Sequence, residues 1–196
     1  PEDLLQQIEP IHRIISLMGI KLIMIPGVEA DDVIGTLAEQ ARQKKLNTVI
    51  STGDKDMTQL VCDNVSVVNT MSGELLDENG VMNKFGVGPE LITDYLALIG
   101  DKSDNIPGVD KVGPKTAVKW LNEYKNIEGI KKNAESIGGK VGENLRSSIE
   151  TLDLAHELVK IKTDVPLEMT IEDLAVSESD ACLLYTSDAA DDVECV

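Results

Sequence analysis

The chain has 196 residues, 42% of them hydrophobic and 27% charged, with a net charge of −17. That content is enough to bury one medium core and excludes a wholly disordered chain. No run is apolar enough for a membrane span, no signal-peptide pattern opens the chain, and Cys62, Cys182 and Cys195 have neither disulfide nor metal spacing, which predicts a soluble, monomeric, cytoplasmic protein.

In chain order, Leu4, Leu5, Ile8, Ile11, Ile15 and Met18 recur at helical spacing, with Pro10 inside the pattern and Gly19 at its end. Lys21–Ile25, closed by Pro26-Gly27, reads as a buried strand. Ile34, Leu37, Ala38 and Ala41 mark one face of a helix whose first turn holds Asp31 and Asp32. Thr48–Ile50 reads as a second strand running into Ser51-Thr52-Gly53-Asp54, a short helix follows around Met57 to Leu60, and Val65–Val68 reads as a third strand. The alternation predicts an α/β fold with a parallel, doubly wound sheet. A helix over Pro89–Ile99, closed by Gly100, comes next.

Seven acids fall in three compact clusters: Glu29, Asp31 and Asp32; Asp54 and Asp56; Asp101 and Asp104. Taken singly, each has an ordinary explanation as a helix-dipole partner, cap or turn brace. Two clusters beyond strand ends, where open α/β sheets bind ligands, point instead to a site. Oxygen-only donors suit Mg²⁺ or Mn²⁺ and argue against zinc. An EF-hand is excluded at Asp54-Lys55-Asp56, because Gln59 stands at its glycine position and Val65 at its terminal glutamate.

The charge is unevenly spread. From Asp164 onward there are ten acids and no Lys or Arg, which leaves −7 for residues 1–163, while Lys111–Lys132 carries six lysines against Glu123 and Glu128. A basic segment beside an acidic metal site is the asymmetry of an enzyme that grips a polyanion and cuts it. The segment Asn105–Ala117 has Gly108 and Gly113 around a turn and a helix start at Pro114, with Lys111, Lys115, Thr116 and Lys119 nearby. Free amides at a helix start attract phosphate, so this reads as an all-helical helix-hairpin-helix element that holds duplex backbone without reading bases. It is not a Walker A loop, since Pro114 separates Gly113 from Lys115. His12 and His156 are isolated and read as packing or surface residues, and Trp120, Tyr124 and Phe85 as local core.

The runs Gly27–Ala38, Ser51–Met57 and Gly100–Gly108 closely resemble the 5′ nuclease domain of bacterial DNA polymerase I, and the likeness extends from about Pro1 through Val165. The resemblance implies a PIN-like flap-nuclease fold. It matches Glu29, Asp31, Asp32, Asp54, Asp56, Asp101 and Asp104 to metal-site acids and Lys102–Ala117 to the DNA-gripping hairpin, where the family also takes K⁺. It further implies two divalent ions, a partner that is branched or nicked duplex DNA with a 5′ flap, and a polymerase region in the same chain. The expected activity is that of a metal-dependent 5′-3′ exodeoxyribonuclease and flap endonuclease acting in replication and repair; a non-catalytic, structure-selective DNA-binding module is the alternative. The family's first strand, with one more aspartate, and its arch of helices are expected upstream of Pro1, so weak activity is expected of these residues alone. The expected division is a nuclease core over 1–100, the hairpin region over 101–165, and an acidic tail over 166–196 that lacks structure and is partly non-native from about 181.

Overall fold

A computed structural model describes residues 2–183, with side chains from Leu4 onward. The chain forms two compact units, one built from residues up to Ala30 together with those from Pro166, the other from Asp31–Val165.

In the first unit, helix α1 (Glu2–Leu17) continues through Pro10. It is closed by Gly19, whose φ of +73° suits a residue without a side chain. The returning chain docks there: the Ser177 amide donates to the Gly19 carbonyl at 2.9 Å and the Asp180 amide to the Leu17 carbonyl at 2.8 Å. Ile171–Leu174 forms a 3₁₀ turn with a capping box between Thr170 and Asp173. Residues 166–183 of the expected unstructured tail therefore carry local order, and the rest of that tail lies outside the described residues. The strand expected at Lys21–Ile25 does not form, since that run has no ladder partner among the described residues. An apolar run becomes a strand only when another strand takes its backbone groups.

The second unit carries the sheet. Helix α2 (Ala30–Gln43) buries Ala38 and Ala41 of the expected face together with Val33, while Ile34 and Leu37 of that face are half-buried. Strands β1 (Thr48–Ser51) and β2 (Val65–Asn69) pair in parallel, with Ile50 opposite Val67. The third member, β3 (Glu74–Leu76), is antiparallel to β2. It comes from a turn in which the Gly73 amide donates to the Asn69 carbonyl at 2.7 Å, with Gly73 at φ +73°. Among the described residues the sheet is thus mixed, three strands in the order β1-β2-β3, and not wholly parallel.

Helices follow: α3 (Glu78–Phe85), which packs on β3, a 3₁₀ turn at Pro89–Leu91 leading into α4 (Ile92–Ile99), then α5 (Pro114–Tyr124) and the long α7 (Gly139–Val159), which pack on α4, and α6 (Ile127–Lys132), which packs on α5. One core joins them, with Ile50, Val67, Met57, Leu96, Leu98, Trp120, Leu121, Ile130, Leu145 and Leu152 buried together. Full burial of each large apolar side chain is worth about 1.5–3 kcal/mol. The element that carries the hairpin is therefore anchored in the same core as the sheet. Buried Asp94 strengthens this joint: it accepts from the Ile127 amide at 3.0 Å at the start of α6 and pairs with His156 of α7 at 2.8 Å.

Candidate metal centre and nucleic-acid interface

β1 ends at Ser51, and the Thr52 amide still bonds the Val68 carbonyl of β2 at 2.9 Å. The chain then turns outward. Thr52 Oγ1 accepts from the Asp54 amide at 3.0 Å, Asp54 Oδ1 accepts from the Asp56 amide at 2.9 Å, and a 3₁₀ turn runs from Asp56 to Leu60. This places Asp54 and Asp56 at the carboxyl end of a parallel strand.

The opposing acids come from the loop after α4. Gly100 leaves the helix at φ +74°, and Asp101 and Ile106 close the loop with two backbone bonds of 2.9 and 2.7 Å. Asp101 Oδ1 also accepts from the Ser103 amide at 2.7 Å. The result is a convergence: carboxylate oxygens of Asp56, Asp101 and Asp104 lie within 4.8 Å of one another.

Four observations test whether this trio fits a cation. Its donors are all oxygens. Ligands on opposite sides of an ion bound at 2.0–2.6 Å stand about 4–5 Å apart, the span seen here. Asp56 Oδ1 is buried without a hydrogen-bond partner among the described residues, a costly state for a polar atom in the absence of an ion. Burial, then the neighbouring Asp54 charge, pushes the Asp56 carboxyl up to about 6, and a bound cation would favour its charged form. The residues fit a hard divalent ion.

One positive charge is already present. Lys55 Nζ pairs with Asp101 Oδ2, and this contact, with the Ser103 amide, holds the Asp101 carboxyl below its ordinary range. Burial is the largest influence and opposes the Lys55 charge, but the contact with Asp101 and the charges of Asp56 and Asp54 together outweigh it, and the ammonium is raised.

The remaining expected ligands are placed differently. Asp32 is buried in the first turn of α2, where its Oδ1 accepts from the Lys162 amide at 2.9 Å and its Oδ2 stands 3.7 Å from Lys162 Nζ. It ties the chain after α7 to α2. Gly35, one turn on, gives that chain room, since a Cβ there would meet Ile161 and the Lys162 carbonyl. Asp31 is half-buried in the same turn, and Glu29 is exposed and belongs to the other compact unit. Among the described residues Asp31 is not part of the converging trio.

At the hairpin, Val109 and Val112 are buried and fix the turn between α4 and α5. Gly108 presses on the backbone of Ile99 and Gly100, so no side chain fits there. Gly113 is different. It precedes α5 in extended conformation, and a Cβ would meet nothing within 4 Å. The space at this helix start is open to an incoming group; Pro114 has no N–H and the Thr116 amide donates to the Gly113 carbonyl at 3.0 Å, so an anion there would be met by the helix dipole and the nearby lysines. Lys115 and Lys119 lie one turn apart on the exposed side of α5, opposite buried Ala117, Trp120 and Leu121; Lys111 is exposed in the turn and Thr116 half-buried. Among the described residues, Lys111, Lys115 and Lys119 are in no ion pair, so their charge is available to phosphate.

A mixed α/β sheet with a hard-cation cluster at a strand end, joined to a helix-hairpin-helix element, defines the class of molecule. Residues 1–86 match the family model "5′-3′ exonuclease, N-terminal resolvase-like domain", and residues 87–181 match "5′-3′ exonuclease, C-terminal SAM fold". The 5′-3′ exonuclease of Aquifex aeolicus is 46% identical over 180 residues, covering 92% of this chain and 61% of that protein. DNA polymerase I of Pseudomonas aeruginosa is 45% identical over 190 residues, 91% of this chain and 20% of that protein. Among solved structures, the bacteriophage T5 flap endonuclease, in a pseudo-enzyme-product complex with DNA and metal ions, superposes with a TM-score of 0.66 at 26% identity, covering 70% of this chain and 51% of that one. The chain belongs to the 5′-3′ exonuclease family, and it spans less than two thirds of the length of these relatives.

Sequence reasoning missed two features here. The Lys55–Asp101 pair joins residues 46 apart, and its only local signal is a lysine between two clustered acids. The Asp32–Lys162 brace joins residues 130 apart and has no local signal at all.

Proposed function

We propose that this chain carries the catalytic metal centre of a structure-selective DNA hydrolase that cuts phosphodiesters at 5′ ends and 5′ flaps. The observation that carries the reading is the convergence of Asp56, Asp101 and Asp104, with a buried, partnerless oxygen on Asp56. Asp56, Asp101 and Asp104 hold one divalent ion, Mg²⁺ or Mn²⁺, with Asp54 beside them. The seven clustered acids suggest two ions. When bound, such ions supply an activated water and stabilise the leaving oxygen of an in-line displacement. The carboxylates position and neutralise, and none of them is the nucleophile.

The open start of α5 and the side chains of Lys111, Lys115 and Lys119 hold the duplex backbone, with Gly108 keeping the turn tight enough to present them. Thr116 supplies a hydroxyl at the same helix start, its amide already donating to the Gly113 carbonyl at 3.0 Å. A K⁺ ion held by the turn's backbone oxygens and a polymerase region in the same polypeptide are further parts of this reading, the second supported by the polymerase I relative. A monomeric, cytoplasmic setting suits such an enzyme; among the described residues no helix is long and apolar enough to cross a membrane. The alternative of a pure DNA-binding module is disfavoured by the acids, which would repel phosphate unless cations lay between them.

The test is release of a labelled 5′ product from a flap duplex with Mg²⁺, by this chain and by one extended upstream, each with and without Asp56→Ala. Metal-dependent release by either chain that the substitution abolishes supports the reading. Release that survives Asp56→Ala in both would refute the assignment.

A further inference from the structure

We propose that Lys55 is a tethered cation that holds the carboxylate cluster together when no metal is present and gives up Asp101 when a divalent ion binds. This rests on the metal-binding reading above and adds a positioning residue to it. Lys55 lies between two acids at the end of β1, yet its side chain reaches across to the loop after α4.

The oxygen it takes is informative. Asp101 Oδ1 accepts from the Ser103 amide, so Oδ2 is the oxygen with more lone-pair capacity for an ion, and Oδ2 is the atom Lys55 holds. Nearby, Asp56 Oδ1 has no hydrogen-bond partner among the described residues. One ammonium therefore stands among Asp54, Asp56, Asp101 and Asp104, offsetting part of their mutual repulsion and leaving the rest to a stronger cation.

The two partners differ in freedom. The Asp101 side chain is 8% exposed and sits in a loop closed by the bonds to Ile106, while the Lys55 side chain is 41% exposed on a flexible stem. The carboxylate is fixed and the ammonium has an open side to which it can retreat. Lysine is thus the part that moves. An ordinary structural ion pair predicts that losing Lys55 weakens the site in every respect. A tethered cation predicts opposite signs: the metal-free fold loses stability while the metal gains affinity, because its competitor is gone.

The experiment measures Mn²⁺ affinity by calorimetry, and melting temperature with and without Mn²⁺, for the unaltered chain and for Lys55→Met, Lys55→Gln, Lys55→Arg and Asp101→Asn. Expected is binding by the unaltered chain, tightened about threefold to tenfold in Lys55→Met and Lys55→Gln with a lowered metal-free melting temperature. Lys55→Arg should stay near the unaltered chain, and Asp101→Asn should lose binding. If the unaltered chain binds Mn²⁺ and both neutral variants bind it equally or less tightly, the inference is overturned while the metal centre stands. If the unaltered chain binds no Mn²⁺, the metal centre falls and the inference falls with it.

Discussion

The first turn of α2 and the turn after β1 are chemically alike in the sequence, each a pair of acids at the start of a helical segment, and the fold uses them in opposite ways. In the first, Asp32 is satisfied by a backbone amide and a lysine of the chain beyond α7. In the second, Asp56 is half-buried with one oxygen unpartnered, beside Asp101 and Asp104. The lesson is that the donors brought by a distant segment decide what a clustered carboxylate can do: they make Asp32 a brace, while at Asp56 they leave one oxygen open to a cation.

Substitution should separate the two roles. The largest effect is expected at the unfilled site: Asp56→Asn should weaken Mn²⁺ binding by roughly a hundredfold, at the upper end of effects seen around metal sites, without lowering the metal-free melting temperature. Calorimetric titration beside a melting curve checks both halves.

At the filled site the signs reverse. Asp32→Ala strands the Lys162 amide in a partly buried position and should cost about 1–3 kcal/mol of stability, read by urea unfolding. A stability unchanged within error would show that the brace contributes nothing.

A pH titration sharpens the comparison. The Asp56 carboxyl sits at about 6 against an ordinary 3.8, so the metal-free folded chain binds this proton more tightly than the unfolded chain. Stability from this group is therefore greatest at low pH, falls as pH rises from about 4, and is fully lost above about 6. The loss should be about 1–2 kcal/mol once the solvent-facing part is allowed for. Metal-free Asp56→Asn should lack this decline, and saturating Mn²⁺ should reverse it in the unaltered chain. A metal-free stability that rises from pH 4 to 7 in the unaltered chain relative to Asp56→Asn would contradict the assignment.

The smallest effect belongs to the hairpin. Lys115→Ala should weaken duplex binding a few-fold and reduce the slope of log affinity against log salt by about 1, with Mn²⁺ affinity unchanged. Fluorescence anisotropy across a salt series measures this.

Much of this arrangement is legible in the sequence, for local reasons. Thr48–Ile50 running into Gly53-Asp54 announces a strand end that carries acids, and Gly113-Pro114 announces a helix start; both are where the structure has them. Short or partner-dependent elements are not legible. Glu74–Leu76 is too brief to show alternation. Lys21–Ile25 has a strand's composition and no partner strand among the described residues. The division of the acids is illegible for a related reason: Asp32 and Asp56 differ only in what a distant segment brings to them, Lys162 in one case and Asp101 in the other.

The central claim is that Asp56, Asp101 and Asp104 share an ion. Anomalous diffraction from crystals grown with Mn²⁺ tests it most directly. The account predicts a strong peak enclosed by those three carboxylates, with Lys55 withdrawn from Asp101. A peak elsewhere, with the three side chains turned to protein donors and none to Mn²⁺, would contradict it.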